Sequence, residues 1–478
     1  MKSLWSQTCQ LSEGKMLEGD MYAENVVIGA GMAGILIAYL LQEKGQKVLV
    51  LEAKKIASGQ TRNTTAKITS QHGLIYSDMI KKAGMERALG YAHANEAAIQ
   101  MYKEIITKEG ISCEFQERPS FLYSVKKKGI EKLKEETAAA KKLGIAAEYV
   151  QGQNITELPF GVMGAVRFEN QAQFHPLKFI EGLAKKLTIY EDTKVLEVDE
   201  RFVITDKGVI VADNVIFATH YPFPIVPGYY FLRQHQSRSY ALALQGEGVP
   251  ETLAGMYYGI DVEGVSFRCA EGKLILGGGS HRTGKNLWVH SPKAAMHLKT
   301  GRPYQCNEVK KGGFCYLREQ MAQYYPQAEE VAHWAAQDCM PHDGIPFIGH
   351  FSLKREHWYV ATGFQKWGMS TSMVAAMIIS DQIAGKKNPY EEIFSPQRLL
   401  FRAGIKNFLV DVGESTWGLF KGMFVKEKHR CTHMGCALSW NEEEQSWDCA
   451  CHGSRFNKEG ELIDNPAQTD VMKRNSSA

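Results

Sequence analysis

A chain of 478 residues, 44% hydrophobic and 23% charged, has the length for about two to four domains and the composition of an ordinary globular protein. Its 56 Lys and Arg nearly balance 53 Asp and Glu, leaving a net charge of +3, which argues against a nucleic-acid-binding surface. No apolar run reaches bilayer length, and the N-terminus carries Lys2 without a continuous apolar stretch. The expectation is therefore a cytoplasmic chain with no transmembrane segment and no secretory leader. Four of the ten cysteines crowd into residues 431 to 451, which in such a chain points first to a metal site.

After a polar lead-in, Val26 to Ile28 is a short apolar run, and Gly29, Gly31 and Gly34 follow in G-x-G-x-x-G spacing. Met32 to Glu43 is apolar at helical spacing, Val48 to Leu51 forms a second apolar run, and Glu52 closes it. This is a strand, a tight turn, a helix and a parallel strand. Gly29 permits the turn, Gly31 the approach of a pyrophosphate, and Gly34 the packing of helix on sheet. The helix N-terminus offers N–H groups to phosphate, and Glu52 offers a carboxylate to ribose hydroxyls.

Ala57 to His72 is a loop rich in small and hydroxyl residues, suited to a phosphate or ribityl chain. Residues 78 to 109 and Ile130 to Leu143 read as helices, and Phe115 to Tyr123 as strands. The Lys runs of the second helix read as a solvated face. Arg167 to Leu187 gives a strand end and another helix. Lys194 to Val198, Phe202 to Thr205 and Val209 to Val211 read as an antiparallel set, with Val215 to Ala218 a separate strand rejoining the first sheet. Residues 220 to 310 suggest a sheet covering a site, and Phe314 to Tyr324 a helix. Trp358 to Ala361, the turn Gly363 to Gly368 and the helix Met369 to Ile383 repeat the strand–glycine turn–helix pattern. That pattern places a second helix N-terminus where it can stabilise negative charge on a flavin ring.

Near the C-terminus stand Cys431-Thr432-His433-Met434-Gly435-Cys436 and Cys449-Ala450-Cys451-His452-Gly453-Ser454. Two thiolates and two imidazoles suit a [2Fe–2S] cluster in which Cys holds one iron and His the other. Cys₂His₂ is also a zinc set, but zinc does not require the C-x-H spacing or a spare Cys in each loop. A one-electron cluster in the same chain favours FAD over NAD as the nucleotide cofactor, because flavin accepts a hydride and releases single electrons.

These loops resemble the Rieske signature. The segments VVIGAGMAGILIAYLLQEKGQKVLVLEA, SGQTRNTTAKITSQHG, ATHYP at 218 to 222, DGIPFIG at 343 to 349 and ATGFQKWGMS resemble the D-amino-acid oxidase/glycine oxidase superfamily. With the tail, they resemble FAD-dependent oxidoreductases that carry a C-terminal Rieske domain. The resemblance implies an α/β fold: a Rossmann-like FAD-binding domain, an antiparallel-sheet substrate domain (α+β) and a small all-β Rieske-type domain. The expected organisation is an oxidoreductase unit over 1–390, with FAD-binding segments at about 22–75, 150–222 and 340–390 and substrate segments at about 76–150 and 223–339. A linker at 391–404 and a shortened Rieske domain at 405–478 would follow.

By the same resemblance, Gly29, Gly31, Met32, Gly34 and Glu52 hold the ADP half of FAD. Ser58, Arg62, Thr64 and Thr65 lie near the phosphates and ribityl chain, and Val195 contacts the adenine end. Gly363, Phe364, Lys366, Trp367, Gly368 and Met369 line the flavin ring. Cys431, His433, Cys449 and His452 hold the cluster, and Cys436 and Cys451 form a disulfide. Cys339 lies roughly where some members attach flavin covalently; a flavin released by acid is the expectation here. Members that oxidise sarcosine place a Lys where this chain has Ser370, so no carboxylate clamp is expected there. Tyr240, Tyr257, His281 and Arg282 are the catalytic candidates. The reading is oxidation of a C–N bond in an amine or amino-acid-like substrate, with electrons leaving through the cluster to a one-electron acceptor. A flavin–Rieske electron-transfer or redox-sensing protein, and an oxygen-using oxidase with a vestigial tail, remain open.

Overall fold

The computed structural model describes residues 2–261, 264–285, 312–398, 401–426 and 429–471, without the side chains of 401–403. Part of the strand-rich stretch, from 286 and including Cys306, lies outside the described residues.

The first sheet grows around strand Met21–Ile28. It is partly exposed at its start and buried from Asn25 onward, the pattern of a strand covered on both faces. It pairs in parallel with Val48–Leu51 on one side and Val209–Phe217 on the other. Thr188–Tyr190 and Arg355–Thr362 extend the sheet, also in parallel. Val195–Asp199 and Phe202–Thr205 form the expected antiparallel set. The runs at 209–211 and 215–218, expected as two strands, belong to one strand over Val209–Phe217. The polar residues between them do not break it, because Asn214 donates to Asn25 Oδ1 at 3.0 Å and is satisfied inside the sheet. Helix Met32–Glu43 is buried from Met32 to Leu41. Each fully buried Leu or Ile there contributes about 1.5–3 kcal/mol.

The second sheet runs Glu329–Pro341, Gln234–Gln245, Lys273–Arg282, Ser266–Ala270, Met256–Gly259, Ser120–Ser124, Gly164–Phe168 and Ala147–Gln151. All its pairs are antiparallel except Met256–Gly259 with Ser120–Ser124. Gly164–Phe168 falls within the stretch expected from 150 as nucleotide-binding, yet it pairs here. The chain rejoins the first sheet only at Thr188.

The expected linker at 391–404 and the start of the expected shortened Rieske domain carry helices, Glu391–Phe394 and the 22-residue Phe401–Gly422. No proline interrupts residues 401–422, and apolar residues recur there every three or four positions. A four-stranded antiparallel sheet follows: Leu438–Asn441, Ser446–Cys449, Arg455–Asn457 and Leu462–Asp464. Its small core gathers the four clustered cysteines with Leu438, Phe456, Ala467 and Val471. Among the described residues, no helix is long and apolar enough to cross a membrane.

Candidate functional site

A cavity of about 1410 Å³ runs between the two sheets and is closed on one side by the C-terminal tail. Its lining includes Gly29, Gly31, Met32, Glu52, Ser58, Arg62, Thr64, Thr65 and Val195. Gly34 does not line the cavity. A Cβ there would stand 1.8 Å from the Gly29 carbonyl, so its absence lets helix Met32–Glu43 sit on the turn. Gly29 has φ +106°, and a Cβ on it would stand 2.6 Å from the Ala218 carbonyl. Glu52 accepts from the Ala30 and Lys54 N–H groups, both at 2.9 Å. Burial raises its carboxyl above the usual range, and these two bonds oppose that. The helix N-cap, Gly31, has no side chain to compete for the first N–H groups, although Met32 N–H donates to Thr61 Oγ1 at 2.9 Å.

The lining also includes Phe364, Lys366, Trp367, Gly368 and Met369, with Tyr258, Trp334 and Asp338. Gly363 is just behind, at φ +76° against Pro341. Helix Gly368–Ile383 likewise begins without a side-chain cap. His72 stacks on Trp367 with ring centroids 5.0 Å apart. Its Nε2–H donates to the Thr69 carbonyl at 2.7 Å, leaving Nδ1 to accept from the Tyr91 hydroxyl at 2.6 Å. Burial lowers its pKa to about 3, so the ring is neutral at physiological pH. Ser370 is buried beside it, 3.1 Å from His72 Nε2, and supplies no cation. Burial lowers the Lys366 ammonium and raises Asp338 to about 7. Two helix starts without a side-chain cap on one cavity, a cradle in which a Cβ would clash, and a carboxylate on the strand end fit a dinucleotide such as FAD.

The catalytic candidates separate. Tyr240 lines the cavity, and its hydroxyl lies 3.1 Å from both Glu444 Oε1 and His281 Nε2. Tyr257 faces away, donating to Glu157 with its ring stacked on Phe121. His281 touches the cavity only through Tyr240, and burial lowers its pKa to about 4. Arg282 reaches the tail rather than the cavity. Its Nε donates to the Ala450 carbonyl at 2.8 Å and its Nη2 to the Cys451 carbonyl at 3.0 Å, while Nη1 pairs with Asp411. Cys339 is buried with its Sγ 3.4 Å from the His220 carbonyl, and does not line the cavity.

The tail contributes wall residues that no motif announced: Glu444, Arg455, Asp464 and Asn465. Glu444 accepts from both Arg238 and Arg455. Burial would raise its carboxyl, but the two guanidinium groups hold it down at about 2.

Beside this wall the two cysteine–histidine loops meet. Cys431, Cys449 and His452 are buried, and the His433 and His452 rings stand 4.9 Å apart, nearly perpendicular. Both Nδ1 atoms are buried without a hydrogen-bond partner among the described residues. The Cys431 and Cys449 thiols share a hydrogen bond that draws the Cys431 pKa down to about 7, helped against burial by the His433 N–H and the Ser454 hydroxyl. Two orphaned imidazole nitrogens opposite two coupled thiols fit the two irons of a [2Fe–2S] cluster. Cys436 and Cys451 are disulfide-bonded, with Cα atoms 6.7 Å apart. The loops rest on the second sheet: Gln236 Nε2 donates to the His452 carbonyl and Gln337 Nε2 to that of Gly453, both at 2.8 Å. The His452 ring also packs edge-on against Phe231, centroids 5.8 Å apart.

Residues 25–382 match the family model described as FAD dependent oxidoreductase (DAO), and residues 402–474 match the Rieske [2Fe-2S] domain. YhfW of Bacillus subtilis, named as a Rieske 2Fe-2S iron-sulfur protein, is 32% identical over 98% of this chain and 96% of its own length. In fold, the chain resembles glycine oxidase from Geobacillus kaustophilus, with a TM-score of 0.60 at 18% identity over 79% of this chain and 99% of that one. L-proline dehydrogenase from P. horikoshii gives a TM-score of 0.60 at 18% identity over 80% and 98%. A family match over three quarters of the chain, on a fold that builds the dinucleotide cradle and joins the cysteine–histidine loops, settles the class: the chain belongs to the DAO family of FAD-dependent oxidoreductases, and carries a Rieske [2Fe–2S] domain behind it.

Proposed function

We propose that the protein oxidises an amine or amino-acid-like substrate at a C–N bond and passes the electrons to its own Rieske centre. The observation that carries this reading is the shared wall: the tail that holds the cluster ligands also closes the flavin cavity, through Glu444, Arg455, Asp464 and Asn465. Bound FAD supplies hydride acceptance and one-electron release, and the [2Fe–2S] cluster supplies one-electron transport. Gly29, Gly31, Met32 and Glu52 take the ADP half, with Gly34 setting the helix against them. Ser58, Arg62, Thr64 and Thr65 follow the phosphates and ribityl chain, and Val195 the adenine end. Gly363 to Met369 border the ring, where Lys366 brings positive charge. That lysine has no hydrogen bond among the described residues and lines the cavity, so it is placed to meet a carboxylate that Ser370 cannot. Cys431, His433, Cys449 and His452 take the cluster. A unit over about 1–390 holds substrate and flavin, and the remainder holds the exit for electrons.

The test is an anaerobic panel of primary amines, N-methyl amino acids and D- and L-amino acids, followed by flavin bleaching and then by turnover with a one-electron dye. Bleaching by a member of the panel, with dye turnover and little hydrogen peroxide in air, is the expected result. Stoichiometric peroxide with no dye turnover would point instead to an oxygen-using oxidase.

A further inference from the structure

Helix Phe401–Gly422 is built inside out. Its inward face is Gly404, Asp411, Gly418 and Gly422, small or ion-paired residues spaced by seven, seven and four positions. A Cβ on Gly418 would stand 2.4 Å from Cys451 Sγ, and one on Gly422 would stand 2.1 Å from the Gly435 carbonyl, so the helix lies directly on the cluster loops. Its outward face is apolar. Ile405, Leu409, Val412, Phe420 and Met423 recur at helical spacing and are all exposed, Leu409 by 63% and Met423 by 65%. Trp417, 55% exposed, flanks them with Lys421 Nζ 5.0 Å from its ring centre. So large an exposed apolar stripe marks an interaction surface.

The charges indicate what it meets. Lys406, Lys421 and Lys426 are exposed around the stripe. Within the helix the carboxylates among the described residues, Asp411 and Glu414, are both turned inward. Asp411 is buried against Arg282, His235 and His342, and Glu414 pairs with Lys285. Among the described residues, the outer face of the helix therefore presents aromatic and aliphatic side chains with cations and no carboxylate. Pairing with a second copy through this face would set lysines against lysines. We infer that this helix lies flat on an anionic lipid surface, its apolar stripe in the acyl boundary and its lysines at the headgroups. Such docking holds the cluster loops, packed on the opposite face, next to the membrane.

The experiment is flotation of the full-length, cofactor-loaded protein with vesicles of phosphatidylcholine alone or mixed with phosphatidylglycerol. Binding to the anionic vesicles that weakens with salt is expected. Lys406→Gln and Lys421→Gln should each lower the partition about fivefold, and Leu409→Ser with Phe420→Ser should lower it more than about tenfold. Flavin absorbance and the cluster signal verify that each variant is folded. Absence of binding by the native protein, or binding unchanged in these variants, overturns the inference. So does a dimer that Leu409→Ser with Phe420→Ser dissolves while no vesicle binds, since a second copy then covers the face.

Discussion

Arg282→Met tests whether this side chain acts on substrate or clamps the two domains. Arg282 and Asp411 are both nearly buried, at 12% and 11% side-chain exposure. The substitution removes two charge-assisted bonds, to the Ala450 and Cys451 carbonyls, and one ion pair. Bonds to charged groups contribute about 1.5–3 kcal/mol each, and breaking a buried pair costs about 3–5 kcal/mol. Asp411 keeps His235 at 2.9 Å and His342 at 2.6 Å, so it is not orphaned and the lower end applies. A loss of about 3 kcal/mol makes opening of the tail ~100-fold more frequent. Hydrogen exchange of the peptide spanning 446–457 reports this directly, because the Cys449 N–H donates to the Ser454 carbonyl and the Gly453 N–H to that of Cys449 in the closed loop. Arg282→Lys should recover part of the protection, since a point charge cannot make the fork. Unchanged exchange together with lost turnover would refute the clamp and return Arg282 to a role at the substrate.

Gly34→Ala should abolish FAD retention and lower the Tm, because its Cβ meets backbone that cannot move aside; a yellow variant with the native Tm would disprove this. Asp338→Asn should stabilise the apoprotein at alkaline pH. Burial raises this carboxyl to about 7, against about 3.9 in the unfolded chain, so the native aspartate destabilises the fold increasingly as pH climbs from about 4 and fully above about 7. The gain is at most about 4 kcal/mol at pH above 7 and vanishes near pH 4; Tm against pH measures it, and a variant no more stable than native at alkaline pH refutes it. Acid precipitation should release all the flavin, since Cys339 does not line the cavity; flavin retained by the pellet and freed by Cys339→Ala would show a covalent bond.

The first sheet was legible because each of its signals is local: an apolar run, a glycine turn and a helix within thirty residues. The cluster loops were legible because ligand spacing is itself the chemistry. Asp338 and Arg238 were not, because their place at the cavity depends on long-range pairing. Register alone sets Arg238 opposite Gln337 and Gln236 opposite Cys339. By sequence Arg282 is a catalytic candidate, because a cation on a covering sheet suits a carboxylate. The structure turns it to the backbone of the tail, about 170 residues further along the chain. Helix Phe401–Gly422 has apolar residues at helical spacing and is legible in principle, but the Rieske resemblance assigns this stretch to a linker and the start of a shortened all-β domain.

The proposed electron path runs from the flavin to the Rieske centre. Photoreduction of the fully loaded protein without oxygen, freeze-quenched for EPR, tests it most directly. Two His ligands place such clusters at roughly −150 to +300 mV, a downhill acceptor for many reduced flavins. A reduced Rieske signal should grow as the flavin bleaches, and Arg282→Met should slow it. A fully bleached flavin beside a loaded cluster that stays oxidised for minutes would contradict it.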